Sequence, residues 1–202
     1  MIEINCHSSI KISKEKIIYI DPFKIQKEIH DADIIFITHE HYDHYSTEDI
    51  EKIEKQDTII VAPKTVKALS KMKNVIMVEP NNTYEVNGIK IETVPSYNIN
   101  KQFHPKKSEW VGYIIQIDNT RYYIAGDTDI TPEIKQVKCD VALVPVGGTY
   151  TMTYEEAAEL VNIIKPKIAI PTHYGSIVGM KEDGDKFKEL VNPETECMIL
   201  IK

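Results

Sequence analysis

The segment His39-Glu40-His41-Tyr42-Asp43-His44 places three imidazoles and the Asp43 carboxylate within one short stretch, directly after the apolar run over residues 33–37. Neutral imidazole nitrogens and carboxylate oxygens are the donors that suit zinc and its first-row neighbours, at bond lengths of roughly 2.0–2.2 Å. A loop leaving a buried strand can turn alternate side chains into one cavity. On that geometry His39 and His41 share one ion while Asp43 and His44 face a second. The competing reading, a solvated polar loop, does not account for the other histidines. Five of the seven, His39, His41, His44, His104 and His173, stand where apolar runs end.

Composition narrows the classes of partner. The chain has 202 residues and no linker rich in Gly, Ser or Pro, so residues 1–202 are expected to form a single domain. A net charge of −7 weighs against general affinity for a phosphate backbone, and no nucleic acid is expected as a partner. Cys6, Cys139 and Cys197 are far apart and lack C-x-x-C spacing, which suits reduced thiols. The start of the chain alternates like a strand and has none of the marks of a signal peptide. No run approaches the roughly 20 apolar residues of a membrane span. A cytoplasmic protein without a membrane partner is the expectation, its oligomeric state left open.

Apolar periodicity and turn chemistry predict an alternating order of strands and helices. Strands are expected over residues 2–5, 10–13, 17–20 and 33–37, with a helix from the N-cap Ser46 to about Lys55. A strand over 58–62, a helix over 64–72 and a strand over 75–78 follow. Asn87-Gly88 marks a tight hairpin turn. Residues 96–109 then form a polar stretch too long for a simple connector, and it carries His104, Lys106 and Lys107. A second hairpin pairs 111–117 with 121–125 and runs into Gly126-Asp127-Thr128-Asp129. Beyond it come a strand over 140–145, a helix opened by the capping box Thr153-Tyr154-Glu155-Glu156, a strand over 167–171 ending at His173, a helix near 186–191 and a strand over 197–201.

The motifs His39-x-His41-x-Asp43-His44, Gly126-Asp127-Thr128 and Pro171-Thr172-His173-Tyr174-Gly175 resemble those of the metallo-β-lactamase superfamily. The resemblance covers essentially the whole chain. With His7-Ser8-Ser9, Ile20-Asp21-Pro22-Phe23 and Pro145-Val146-Gly147-Gly148 it is similar to the branch containing ascorbate-6-phosphate lactonase. It implies an α/β (α+β) fold, a four-layer αββα sandwich of two mixed sheets flanked by helices. It further implies His39 and His41 as ligands of a first metal, Asp43, His44 and His173 of a second, and Asp127 as their bridge, with Asp43 and Asp127 counted as catalytic. Asp21 matches an aspartate that buttresses the His-rich loop, and His7 is a supporting candidate. The first metal's third histidine, usual at a strand end, is absent where the chain reads Ser96-Tyr97-Asn98. His104 is the nearest replacement.

The cofactors implied are two divalent ions, zinc first, with Mn2+ or Fe2+ as alternatives. The activity implied is hydrolysis of a small ester, lactone or phosphodiester metabolite by an activated water, with Lys106 and Lys107 as candidates to meet an anionic substrate. A metal-dependent nuclease or phosphodiesterase is the rival among hydrolases. A flavo-di-iron oxidoreductase module is the rival outside them, and it expects a Glu where His41 stands.

Overall fold

The isoleucine-rich runs seen in the sequence become strands of two sheets in the computed structural model, which describes residues 1–201. The first sheet holds β1 (Ile2–Cys6), β2 (Ser9–Ser13), β3 (Ile17–Ile20), β4 (Ile34–Phe36), β5 (Ile59–Pro63) and β6 (Val75–Val78), in that spatial order. The second holds β7 (Thr83–Val86), β8 (Ile89–Pro95), β9 (Val111–Ile117), β10 (Thr120–Ile124), β11 (Val141–Pro145), β12 (Ile168–Thr172) and β13 (Glu196–Cys197), again in sequence order from edge to edge.

Side chains alternate between the faces of a strand, and along β4 that alternation builds two separate cores. Ile34 and Phe36 point between the sheets, where they meet Tyr113, Ile115 and Leu143. Ile35 and Ile37 point outward, against Ile50 and Ile53 of α1 (Thr47–Ile53) and against Leu69. Tyr123 likewise faces outward from β10, toward Ala157, Leu160 and Val161 of α2 (Tyr154–Ile164) and Phe187 of α3 (Asp183–Leu190). Helices therefore cover both outer faces, as expected of the four-layer αββα sandwich.

Strand direction decides where functional loops emerge. β3, β4 and β5 run parallel, and β1 runs the same way because two antiparallel pairings separate it from β3. In the second sheet β10, β11 and β12 run parallel, and β8 shares their direction for the same reason. The C-terminal ends of β1, β3, β4, β8, β10 and β12 deliver residues 7, 21, 38–44, 96–104, 126–129 and 173 to one edge of the sandwich. Two backbone bonds tie the sheets together there, from Val111 N–H to the Thr38 carbonyl at 3.3 Å and from His173 N–H to the His7 carbonyl at 3.0 Å.

Three segments depart from the sequence expectation. The helix expected over residues 64–72 is only a 3-10 turn, Lys67–Lys71, because Val66 supplies no side-chain cap and Met72 returns to extended backbone. The last strand stops at Cys197 rather than continuing to 201. Met198 and Leu200 instead pack against the core between the sheets. The last helix begins earlier than residue 186, at Asp183, whose carboxylate accepts the Met180 N–H at 2.7 Å and closes the preceding turn.

The capping box read from the sequence is present: Thr153 Oγ1 accepts the Glu156 N–H, and the Glu156 carboxylate accepts the Thr153 N–H. Replacing Thr153 by Ala is expected to lower stability by about 1 kcal/mol, measured by chemical denaturation, with metal content unchanged.

Candidate metal centre

Asp21 sits just past β3 in left-handed backbone, φ 47°, and is 1% exposed. Its Oδ1 accepts the Thr38 N–H at 2.8 Å. Its Oδ2 accepts the Thr38 hydroxyl and His44 Nδ1–H, each at 2.7 Å. With its proton donated to Asp21, the Thr38 hydroxyl can only accept from His39 Nδ1, 3.0 Å away. One carboxylate thus assigns the Nδ1 proton of both His39 and His44, and turns each Nε2 toward the interior of the cluster.

The imidazoles and carboxylates fall into three overlapping groups, the ligand atoms of each lying within 4.8 Å of one another: His39, His41 and His104; His7, Asp43 and His173; His39, His44 and Asp127. Within the first, His39 Nε2 lies 3.1 Å from His41 Nδ1. Asp127 touches members of all three groups. Its Oδ1 is 3.4 Å from His44 Nε2, and its Oδ2 is 3.2 Å from His104 Nε2 and 3.0 Å from His173 Nε2. Asp43 Oδ2 stands 3.4, 3.5 and 3.7 Å from the Nε2 atoms of His7, His44 and His173. His7 and His173 both hold positive φ, and their rings pack at 3.7 Å between centroids. Gly147 makes room for this, since a Cβ there would collide with the His173 carbonyl oxygen.

Charge follows from this packing. Burial works against charge throughout, and it is the main cause holding the His39 pKa well below the usual imidazole value. At His44 burial is outweighed by Asp127 and Asp21, which push its pKa well above that value. Burial is likewise overcome at Asp127, where His173 and His44 hold the carboxyl well below the usual range, and at Asp43, where His173, His44 and His7 do the same. The cluster is built to hold Asp127 and Asp43 as anions. Against burial, Asp127 and Asp43 likewise raise the His173 pKa, so His44 and His173 are the imidazoles that the carboxylates favour as cations.

The predicted residues Asp21, His39, His41, Asp43, His44, Asp127 and His173 are brought together, and His7 and His104 join them. Lys106 does not. It pairs with Glu133 at 2.8 Å and lies over the Tyr97 ring. Lys107 lines a cleft of about 480 Å3 whose wall includes Glu79, Tyr97 and Trp110 and none of the grouped histidines. The ion pair with Glu133, which joins distant parts of the chain, occupies Lys106. Sequence reasoning also passed over Trp110, whose ring lies 4.9, 4.8 and 5.5 Å from those of His39, His41 and His104, and it gave no role to Asp129. The sequence sign of Trp110 was its place as the chain's single tryptophan, immediately after the polar stretch.

Buried polar atoms are nearly always hydrogen-bonded, and leaving one unpaired costs about 1–3 kcal/mol. Seven side-chain atoms of this cluster have no such partner: both ring nitrogens of His7 and of His173, Nε2 of His44 and of His104, and Oδ1 of Asp127. The Nε2 atoms among them face Asp43 and Asp127, and a set of nitrogen and carboxylate donors alone fits divalent cations of the zinc type.

Comparison with known proteins finds metal-dependent hydrolases among the relatives of this chain. A family model described as the beta-lactamase superfamily domain matches residues 2–173. A UPF0173 metal-dependent hydrolase of Thermococcus onnurineus is 31% identical, over 96% of this chain and 93% of its own. A crystal structure from Parabacteroides distasonis, described as a candidate metal-dependent hydrolase, is 33% identical with a TM-score of 0.83, covering 100% of this chain and 93% of that one. Igni18, a metallo hydrolase from Ignicoccus hospitalis, shares the fold with a TM-score of 0.82 at 23% identity, over 98% and 93% of the two chains.

The Asp21 arrangement generates a test. Asn tolerates left-handed backbone, so Asp21→Asn should keep the turn. Its amide offers one acceptor where three donors converge and sets an NH2 against the others. Zinc affinity is expected to fall 10- to 100-fold, read by competition with a chromophoric chelator.

Proposed function

The chain belongs to the metallo-β-lactamase superfamily of metal-dependent hydrolases, and from that membership we propose that it cleaves a small ester, lactone or phosphodiester metabolite at a centre for two divalent ions, zinc foremost and manganese or iron as alternatives. In this reading His39, His41 and His104 hold the first ion, Asp43, His44 and His173 the second, and Asp127 belongs to both, with His7 packed beside the second set. The observation that carries it is Asp127 itself, a carboxylate 4% exposed and within 3.4 Å of imidazoles from each set.

When bound, the ions supply a water that ionises near neutral pH and a positive field for the oxygen that gains charge during cleavage. The chain's own part is to keep that field fixed and dry. Asp21 and Thr38 hold the donor nitrogens of His39 and His44 in place, Trp110 covers the first set, and no Ser, Cys or Lys nucleophile is required. For the anionic part of a substrate, Lys24 is less committed than Lys106, which is paired with Glu133. The Lys24 Nζ lies 3.4 Å from Ser176 Oγ, close in sequence to His173, and it makes no ion pair among the described residues. A small metabolite and a cytoplasmic setting suit the acidic chain better than a nucleic acid does. No helix among the described residues is long and apolar enough to cross a membrane. The first set, with three imidazoles, favours the hydrolase over the carboxylate-rich di-iron alternative.

Purified protein is expected to bind up to two zinc or manganese ions per chain, counted by elemental analysis and titration. Asp127→Asn should abolish turnover of model esters and phosphodiesters and weaken one ion more than it lowers thermal stability. Two ions held as tightly as in the parent, with turnover retained, would remove Asp127 from its place in this reading.

A further inference from the structure

Residues 98–104 are closed on themselves by an unusual pairing. The Asn98 N–H donates to the His104 carbonyl at 2.7 Å, and the His104 N–H donates to Asn98 Oδ1 at 3.0 Å. The same Oδ1 stands 3.0 Å from His104 Nδ1, and the Tyr150 carbonyl stands 3.2 Å from that nitrogen. Both neighbours of Nδ1 are acceptors. The orientation of the Asn98 amide is itself determined, because its Nδ2 donates to the Tyr150 carbonyl at 2.9 Å and to Asp129 Oδ1 at 3.2 Å. Rotating the amide by half a turn would set donor against donor at the His104 N–H and acceptor against acceptor at Tyr150.

We propose that Asn98 is a positioning residue that locks His104 in the tautomer with its proton on Nδ1, leaving the Nε2 lone pair for the first metal, and that Asp129 holds Asn98 in that role. Free neutral imidazole favours the opposite tautomer, so the loop must impose this one. Asp129 is equipped to do so. It also accepts from the Ile99 N–H at 2.9 Å and from Lys101 Nζ at 2.5 Å, which ties the first and third residues after Asn98 to the same carboxylate. Asn98, His104 and Asp129 are 6%, 1% and 6% exposed, so water does not compete for these bonds. His104 Nε2 is buried, shares a group with His39 and His41, and faces Asp127 Oδ2 at 3.2 Å without the alignment of a hydrogen bond, so the acceptors at Nδ1 are what oppose a proton on Nε2. A histidine on an irregular loop is thereby held as firmly as one at a strand end.

The proposal rests on the two-ion reading above, and the test separates the two. Two-bond 1H–15N correlation spectra of the metal-free protein report the tautomer of each imidazole. His104 is expected to carry its proton on Nδ1. Asn98→Leu removes the acceptor and is expected to populate the Nε2–H form and to weaken zinc at one site by 10-fold or more, with the other site unchanged. Asn98→Asp keeps the acceptor toward His104 but sets a carboxylate oxygen against Asp129 and the Tyr150 carbonyl, so it is expected to retain the Nδ1–H tautomer while lowering thermal stability, a split that a merely structural role for Asn98 does not produce. Should Asn98→Leu fail to fold, the parent spectrum and Asn98→Asp still decide. An Nε2–H form of His104 in the parent, or unchanged tautomer and zinc affinity in folded Asn98→Leu, overturns the proposal. A parent with the Nδ1–H form that takes up no zinc overturns its metal half together with the hydrolytic reading, while the tautomer assignment stands.

Discussion

A buried carboxylate with three donors pointed at it is the constraint on which the site depends. Asp21 could not remain in that position as an unpaired charge, because a buried anion is tolerated only when hydrogen-bonded or paired. Its partners are the Thr38 backbone and hydroxyl and the His44 ring. Satisfying Asp21 and orienting the His-rich loop are therefore one requirement. The loop leaves β4 with Thr38 already tied down, and His39 and His44 inherit their orientations from it.

The sandwich supplies the rest by direction rather than by proximity in sequence. Each sheet combines antiparallel and parallel pairings so that several strands end at the same edge. Loops of the first sheet bring the donors of residues 7 and 39–44, and loops of the second bring His104, Asp127 and His173. Neither sheet alone completes any reading with two ions. Left-handed backbone at His7, Asp21 and His173 is the local cost of aiming these side chains from tight turns. The cores between and outside the sheets carry that cost.

What could be read from the sequence was whatever is local. The alternation around Ile34 to Ile37, the Asn87-Gly88 turn and the Thr153 to Glu156 box are each encoded within a few residues. So is the His39 to His44 quartet, because its donors share one loop. Asp127 and His173 were legible through their positions after strands. What escaped was encoded across the fold. The clasp on His104 needs Asn98, Asp129 and the Tyr150 carbonyl, which meet only once the strands from β8 to β11 are assembled in one sheet. Lys106 looked available until Glu133 arrived beside it. The short turn at Lys67–Lys71 had apolar spacing suited to a helix, but without a cap the segment extended no further.

The backbone bond from His173 to the His7 carbonyl joins β12 to β1, nearly the whole chain apart. Contacts between such distant residues form late, since the chain must close a long loop before they contribute. The quartet from β4 can exist as soon as the first sheet does, but the complete cage cannot precede docking of the second. Full ligation of a cation would thus require both sheets, in contrast to small domains whose metal nucleates the fold. A chain interrupted between the sheets would present only half of the donors, and would hold its ion correspondingly loosely.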